Sequence, residues 1–175
     1  SRLTARAQQI ATLRAERHWS NRAVALSTAG YSDRAALADK TGREVAWLPT
    51  PTTVPEVPSP EGSPPVAGFL ANFRYWPNLD AYELLKQNWE PALRKLGWKT
   101  VVAGLHSEQL EGGDEIEIVG ALPRVEDFYA QVHVTLAPIR LGGGIKVKVL
   151  EALMAGRPVL ATPYAVQGFP PKLVT

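Results

Sequence analysis

The 175-residue sequence contains no cysteine, which excludes disulfide bonds and thiolate metal sites. No apolar run approaches the roughly 20 residues that a membrane-spanning helix needs, and no signal-peptide pattern is found. Neither positive nor negative charge predominates, since the sequence has 19 Lys and Arg and 17 Asp and Glu, a formal net charge of +2. That balance argues against a nucleic-acid partner held by phosphate neutralisation. A globular cytoplasmic protein is expected, with at most peripheral contact with the inner face of a membrane.

The motifs of several enzyme classes are absent as well. His18, His106 and His133 are scattered without metal-ligand spacing. No Asp-x-Asp occurs in a loop either, so no metal is expected, and no cofactor is predicted. His133 lies in an apolar strand, where a hydrogen-bonded structural role is expected rather than that of a base. Because no Walker P-loop, Gly-x-Ser-x-Gly elbow or Gly-x-Gly-x-x-Gly fingerprint occurs, phosphotransferase and dehydrogenase functions are not indicated.

Proline is concentrated in one segment. Seven of the 15 prolines lie within residues 49–65, a density that cannot continue a helix or a strand ladder and predicts a semi-extended linker. Three parts are therefore expected: residues 1–48 as the incomplete end of one domain, the linker, and residues 66–175 as a second domain. The sequence opens without methionine and ends without a helix stop signal, so a fragment of a longer chain is expected.

Helices and strands alternate after the linker. Strands are predicted at residues 66–72, 99–103, 115–119, 132–139 and 158–162. The helix between the first two is expected to be capped by Asn78 and kinked by Pro91. Because several strands are apolar on both faces, the pattern predicts an α/β fold, a Rossmann-like parallel sheet with helices on both faces.

The first part of the chain has a shorter pattern of the same kind. Apolar spacing predicts a helix over residues 3–18, and Ser32 or Asp33 is placed to cap a second helix that runs to about residue 38. Short strands are predicted at residues 23–26 and 45–48.

Three consecutive glycines follow the strand predicted at 132–139. Gly142, Gly143 and Gly144 allow close backbone approach to a ligand, and the helix after them points its free N–H groups and positive dipole end at it. Lys148 and Glu151 are three residues apart and share a face of that helix. The combination predicts a diphosphate site, with the lysine toward phosphate and the carboxylate toward hydroxyls. The alternatives are a plain tight turn and a solvated ion pair worth roughly 0.2–0.5 kcal/mol.

Two other loops are predicted at the carboxyl edge of the sheet, where parallel sheets bind their ligands. Arg74 follows the first strand of the domain and either reaches a phosphate or stays in solvent. The turn that contains Ala121, Leu122 and Val125 either holds a flat base against backbone and apolar groups or is an ordinary strand-to-helix turn.

Residues 136–169 carry a resemblance to a known family. They read LAPIRLGGGIKVKVLEALMAGRPVLATPYAVQGF, which resembles the donor-site signature of the group 1, GT-B fold glycosyltransferases. The earlier segments GFLANFRYWPNLDAYELL, VVAG and IEIVGALPRVEDFYAQVHV are similar to the family's preceding strands and helices. Residues 8–54 look like the end of its N-terminal domain. The resemblance implies the C-terminal half of a GT-B fold, preceded by a partial N-terminal α/β segment.

The resemblance implies a function in glycan biosynthesis: retaining transfer of a hexose from a nucleoside diphosphate sugar to a sugar, lipid or small-molecule acceptor. Glu151 matches the glutamate that holds the donor ribose, and Lys148 and Arg74 match basic positions near the diphosphate. The loop at 142–144 would lie against the diphosphate or the sugar, and the turn at 121–125 matches the base-binding segment.

The sequence also departs from the family pattern. Gly143 stands where many relatives carry a first glutamate. The resemblance places the acceptor site and a catalytic histidine in an N-terminal domain, most of which residues 1–48 do not supply. It therefore implies donor binding with little turnover by this chain alone. Two alternatives stay open: a nucleotide-sugar epimerase of the same fold, and a non-catalytic α/β nucleotide-binding module.

Overall fold

The computed structural model describes residues 2–112 and 115–174, which form two compact units. One unit comprises residues 1–50 together with 168–175, and the other comprises residues 51–167. Ser1, Gly113, Asp114 and Thr175, which the predicted domains include, lie outside the described residues.

The first unit contains two helices and a two-stranded parallel sheet. The helices are α1, Arg2–Arg22, and α2, Asp33–Thr41, and the strands are β1, Ser27–Thr28, and β2, Ala46–Trp47. The strand predicted at 23–26 is wrong, because those residues leave α1 in an irregular path along which Val24 is fully exposed.

The end of the described chain also belongs to the first unit. A 3-10 turn spans Pro171–Leu173, and before it the Tyr31 N–H donates to the Gly168 carbonyl at 2.6 Å. Phe169 is buried. Residues 168–174 thus pack with residues 2–50, whereas the sequence pattern had grouped them with the strands after the linker.

The second unit is built on a five-stranded parallel sheet. Its strands are β3, Val66–Leu70; β4, Lys99–Ala103; β5, Ile116–Gly120; β6, Val134–Ala137; and β7, Val159–Ala161. Their spatial order is β5-β4-β3-β6-β7, so the direction of chain progression reverses between β3 and β6. The parallel α/β fold predicted from the sequence is confirmed. In such a sheet the loops that follow the two strands at the reversal diverge and leave a crevice between them.

Helices connect these strands. They are α3, Trp76–Leu84; α4, Glu90–Lys95; α5, Val125–Tyr129; and α6, Val147–Met154, with a 3-10 turn at Ser107–Gln109. A π-helical turn, Leu85–Trp89, joins α3 to α4 just before Pro91, where the sequence predicted a kink. Proline has no N–H to donate to the preceding turn, and the Glu90 N–H donates to the Leu85 carbonyl in the wider π pattern.

The proline-rich segment has neither helix nor strand, as its composition predicts, but from residue 51 onward it packs as part of the second unit. Val54 is buried in a cluster that includes Phe128 and Ala152. Arg157, only 2% exposed, donates to the backbone carbonyls of Val57, at 2.9 Å, and Pro58. These contacts fix the segment against α5 and α6.

Within residues 2–112 and 115–174, no helix combines the length and the apolar character that crossing a bilayer requires.

Candidate functional site

A cleft of about 430 Å³ lies at the carboxyl edge of the sheet, beside the reversal between β3 and β6. It is bounded by the loops that follow β3, β5 and β6 and by the first turns of α6. The structure brings seven of the predicted site residues into its lining: Ala121, Leu122, Val125, Gly142, Gly143, Lys148 and Glu151. Segments far apart in sequence therefore converge on one site.

The glycine-rich loop is held in place from both sides. Gly142 has φ 99°, a conformation that disfavours any residue with a Cβ, and a Cβ there would lie a tight 3.0 Å from the Tyr75 hydroxyl oxygen. The Tyr164 hydroxyl donates to the Gly142 carbonyl. At Gly143, by contrast, a Cβ would meet nothing within 4 Å. The middle of the loop therefore has open space beside it.

An ion pair anchors the start of this loop to α3. Arg140 donates through Nε and Nη2 to the two carboxylate oxygens of Asp80, at 2.8 and 2.9 Å. The hydrogen bonds from Arg140 lower the pKa of the Asp80 carboxyl. The two-point geometry fixes both the position and the orientation of the chain that leads into the glycines.

Helix α6 begins directly in the cleft. Lys146 occupies its N-cap position without a side-chain capping bond, and no acidic residue lies in the first turn. Backbone N–H groups at the start of a helix lack acceptors in a preceding turn, and the helix dipole places partial positive charge there. The Val149 N–H donates to the Lys146 carbonyl at 2.9 Å, so the N–H groups of Val147 and Lys148 are the ones placed for an anion. This end of α6 is therefore suited to an anionic group.

Lys148 extends from α6 to partners on neighbouring elements. Its ammonium donates to the Asn78 side-chain oxygen at 3.0 Å and lies 4.9 Å from the centre of the Phe69 ring. Burial lowers the pKa of Lys148 to about 8, against the opposing attraction of Glu151. Among the ion pairs formed by described residues, none joins Lys148 to Glu151, so the solvated i,i+3 pair is not what the structure contains.

Glu151 lies one helical turn further along the same lining. Its residue is partly buried, and burial raises the pKa of its carboxyl while Lys148 opposes that change. No hydrogen bond to its carboxylate is found within the described residues. A carboxylate that faces a cleft without a protein donor is well placed to accept hydroxyl groups of a ligand.

The structure does not bring two of the predicted residues into the cleft lining. Arg74 is exposed, and its backbone N–H donates to the Asn72 side-chain oxygen at 3.0 Å. Gly144 is exposed with φ 69°, and its carbonyl accepts from the Lys146 ammonium at 2.7 Å. Contact of Arg74 with a phosphate stays a prediction.

The prediction that Asn78 caps α3 is wrong. The helix begins at Trp76, with Tyr75 in the N-cap position and no capping side chain. Asn78 is instead 7% exposed, and its amide donates to the Asn72 carbonyl at 2.8 Å while its oxygen accepts from Lys148. Sequence reasoning missed this role because the partner lies 70 residues away. An asparagine that precedes an apolar helical face is found both at N-cap positions and at buried positions inside a helix, so the sequence pattern does not distinguish the two.

The other lining residues missed from sequence are mostly apolar. The apolar ones are Leu70, Ala71, Tyr75, Pro77, Leu105, Ile139, Leu141, Ile145 and Val147, and Asn72, Gly104 and Lys146 also line the cleft. A cation, Arg124, also lines the cleft, but it pairs with Asp127 at 2.6 Å. The cleft thus combines a largely apolar wall with a small number of charged groups, the usual character of a small-molecule site.

The structural role predicted for His133 is confirmed, since its Nδ1 accepts a hydrogen bond from the Val66 N–H at 3.0 Å. Over residues 2–112 and 115–174, no three His, Asp or Glu side chains come together in a way that could hold a metal ion.

Comparisons with known proteins agree on the fold. The family model of the group 1 glycosyl transferases matches residues 64–174. The crystal structure of TarM shares the fold with a TM-score of 0.55 and 11% identity, over 81% of this chain and 30% of that one. A mutant of S. aureus TarM in complex with fondaparinux, alpha-GlcNAc-glycerol and UDP has a TM-score of 0.64 and 13% identity, over 87% of this chain and 32% of that one.

The chain thus spans about a third of the length of these two structures. At such low identities the likeness concerns the fold alone. A search of curated proteins found no match to this chain.

Proposed function

The chain belongs to the group 1 glycosyl transferases, and on that premise we propose that its cleft binds a nucleoside diphosphate sugar as glycosyl donor. The observation that carries the proposal is the convergence of Lys148, the start of α6 and the glycine-rich loop in one cleft. All three suit the diphosphate: the lysine supplies a positive charge, the helix supplies free N–H groups, and Gly143 leaves space for close approach.

Glu151 and the turn after β5 would hold the rest of the nucleotide. The Glu151 carboxylate would accept hydrogen bonds from the two ribose hydroxyls. Ala121, Leu122 and Val125 would lie against the flat base, whose hydrogen-bonding edge would be recognised by backbone groups of this turn. We also propose Arg74 as a second cation for the diphosphate. Its exposed side chain would reach the phosphates by adopting another rotamer.

The chemistry that this arrangement favours is departure of the diphosphate. When the bond between the anomeric carbon and the diphosphate oxygen breaks, the electron pair leaves with that oxygen. Lys148 and the N–H groups of α6 would stabilise the developing negative charge, the kind of interaction that often dominates enzymatic rate enhancement. We propose a hexose as the transferred group, retention of its anomeric configuration, and a sugar, lipid or small-molecule acceptor bound by other parts of the protein.

Binding of the donor is proposed to need no divalent cation, because Lys148 and the positive end of α6 already offset phosphate charge. Addition of EDTA should therefore leave the affinity for nucleotide unchanged. A strict Mg²⁺ requirement would contradict this proposal. We also propose a cytoplasmic location with at most peripheral contact with a membrane.

The test is a thermal-shift panel of UDP, GDP, ADP, dTDP and their sugar conjugates on the 175-residue chain. UDP comes first because a structure of similar fold contains it. A ligand that binds only the folded state adds about 2.7 kcal/mol of stability at one hundred times its dissociation constant, so moderate binding is visible.

Glu151→Ala should abolish the shift, whereas Glu117→Ala, at the exposed position of β5 and outside the cleft lining, should preserve it. If every nucleotide leaves the melting temperature unchanged, the proposed donor site is wrong for this chain. If Glu151→Ala binds as tightly as wild type, the ribose role is wrong while the diphosphate site stands.

A further inference from the structure

Asn78 occupies a buried position between two polar partners. It lies in the first turns of α3, donates its amide to the Asn72 carbonyl at 2.8 Å and accepts from the Lys148 ammonium at 3.0 Å. The orientation of the amide group follows from the chemistry of these partners. An ammonium can only donate and a carbonyl can only accept, so the side-chain oxygen must face Lys148.

The cations around the cleft are held in two different ways. Arg140 and Arg124 each pair with a carboxylate, from Asp80 and Asp127 respectively. Lys148 instead contacts a neutral amide oxygen and an aromatic ring, as Lys146 contacts the Gly144 carbonyl and the Tyr164 ring. A carboxylate would compensate the charge of the ammonium and would repel an incoming anion. The amide and the ring orient the ammonium but leave its unit charge in place.

We propose that Asn78 is a positioning residue that directs the Lys148 ammonium into the cleft through a neutral acceptor, so that its charge remains available to a diphosphate. This inference rests on the proposed function, since a diphosphate must bind there for the charge to be used. It also explains why an asparagine, rather than an aspartate that would bind Lys148 more strongly, stands in this buried position.

The charged groups around Lys148 determine how a substitution of Asn78 should change the titration of Lys148. The titratable groups that line the cleft with Lys148 are Glu151 on the same helix, Lys146 at its start, Arg124 and Tyr75. Glu151 is the one carboxylate among the described lining residues, and it forms no ion pair with Lys148. A second carboxylate within hydrogen-bond distance would therefore dominate the electrostatic environment of the ammonium.

The first experiment measures Lys148 itself, without nucleotide. The side-chain carbon next to the ammonium is followed by NMR as pH is varied in chain labelled with ¹³C-lysine, with the signal assigned through Lys148→Arg. Asn78→Asp should raise the Lys148 titration midpoint by about one to three pH units, as an opposite charge at this distance does. Asn88→Asp makes the same chemical change at an exposed position outside the cleft lining and should leave the midpoint where it is.

The second experiment compares UDP with uridine, which lacks the phosphates. At pH 7, Asn78→Asp should weaken UDP binding about ten-fold or more, the loss of about 1.4 kcal/mol, and uridine binding less than two-fold. A purely structural role for Asn78 would weaken both ligands equally. Asn78→Ala, which removes the acceptor without adding charge, keeps the test open if Asn78→Asp folds poorly: it should lower the Lys148 midpoint and weaken UDP more than uridine.

The outcomes separate the two proposals. If no nucleotide binds the wild-type chain, the proposed function fails, and a shifted midpoint in Asn78→Asp would then show only that Asn78 orients Lys148. If UDP binds but Asn78→Asp leaves the Lys148 midpoint unchanged, or weakens UDP and uridine alike, the inference about Asn78 is overturned and the proposed function stands.

Discussion

At the scale of the residue, the protonation of Lys148 should control nucleotide binding. Burial lowers the pKa of Lys148 to about 8, so in the free protein its charge is lost as pH rises through that value. We predict that UDP affinity falls as pH rises from 7 to 9.5, with an inflection near 8. The range begins at 7 because phosphate groups have a second pKa of about 6.

The matching control is Lys148→Arg, measured by titration calorimetry over the same range. A guanidinium stays protonated, so whatever UDP affinity this variant retains should show no inflection near 8. A flat profile in the wild-type chain would mean that Lys148 makes no charge-dependent contribution to binding.

Whether the role of a residue could be predicted from the sequence depended on how far along the chain its contact partners lie. Lys148 and Glu151 could be placed on one face because their relation is fixed by helical periodicity within one element. Asn78 was misassigned because its partners, Lys148 on α6 and the carbonyl of Asn72 in the loop after β3, are set by how these elements pack against α3. The absence of an ion pair between Lys148 and Glu151 was likewise not predictable, since Asn78 provides the competing partner.

At the scale of the element, Gly104 at the end of β4 should be among the least replaceable positions. Its φ is 119°, and an added Cβ would overlap the Ala71 carbonyl oxygen at the end of β3. We predict that Gly104→Ala lowers the free energy of unfolding by about 3 kcal/mol or more, from backbone strain and steric overlap together. Urea denaturation followed by tryptophan fluorescence measures this value.

Gly97→Ala separates the two causes. Gly97 also has positive φ, 77°, but a Cβ there would meet nothing within 4 Å. This substitution should cost only the conformational strain, about 1 kcal/mol. Equal losses in the two variants would show that the close approach of Gly104 to Ala71 is unimportant.

The attachment of the proline-rich segment should depend on one buried side chain. Arg157 donates to carbonyls of Val57, Pro58 and Tyr129, and Arg157→Ala would leave these acceptors unpaired next to a cavity. We predict a loss of about 3 kcal/mol or more in the free energy of unfolding. Proteolysis should also begin within residues 51–65 in this variant.

Arg124→Ala serves as the control for removing an arginine. Its side chain is 70% exposed and its ion pair with Asp127 lies in solvent, so little stability should be lost. If Arg157→Ala unfolds at the same urea concentration as wild type and is no more sensitive to protease, the segment is held by its apolar contacts instead.

Element types were more predictable than their bounds. The apolar runs at β4 and β6 identified strands because both faces are buried, as the parallel sheet requires. The run at 23–26 is also apolar, but Val24 is fully exposed, and the run meets β2 only at its last residue among the described contacts, where the Leu26 carbonyl accepts from the Ala46 N–H at 2.9 Å. Local composition therefore predicts where a strand can form, whereas pairing with a neighbouring strand decides whether it does.

At the scale of the whole molecule, alternation of strands and helices was enough to predict the parallel sheet and the carboxyl edge where the cleft lies. The grouping of segments was harder, because it depends on single long-range contacts. The packing of residues 168–174 with the first unit involves a hydrogen bond between Tyr31 and Gly168, neither of which has a distinctive sequence signal.

The last prediction concerns turnover. The chain spans about a third of two structures of similar fold, and Glu151, the one carboxylate in the described lining of the cleft, is assigned to the ribose. No histidine is found in that described lining either. On the proposed assignment, these side chains would contact the donor and would offer no base to an acceptor hydroxyl. We predict that the 175-residue chain binds the UDP-sugar that matches its site yet releases no UDP above background.

The measurement is UDP release, coupled to a luminescent readout, with and without sugar, lipid and small-molecule acceptors. Binding by calorimetry under the same conditions shows that the site is occupied, and heat-denatured chain gives the background. Release that rises with acceptor concentration would contradict the prediction. It would also require an acceptor site and a base within this chain, and Glu151→Gln would then test whether Glu151 acts on the acceptor rather than on the ribose: loss of release with unchanged donor affinity would assign it to the acceptor.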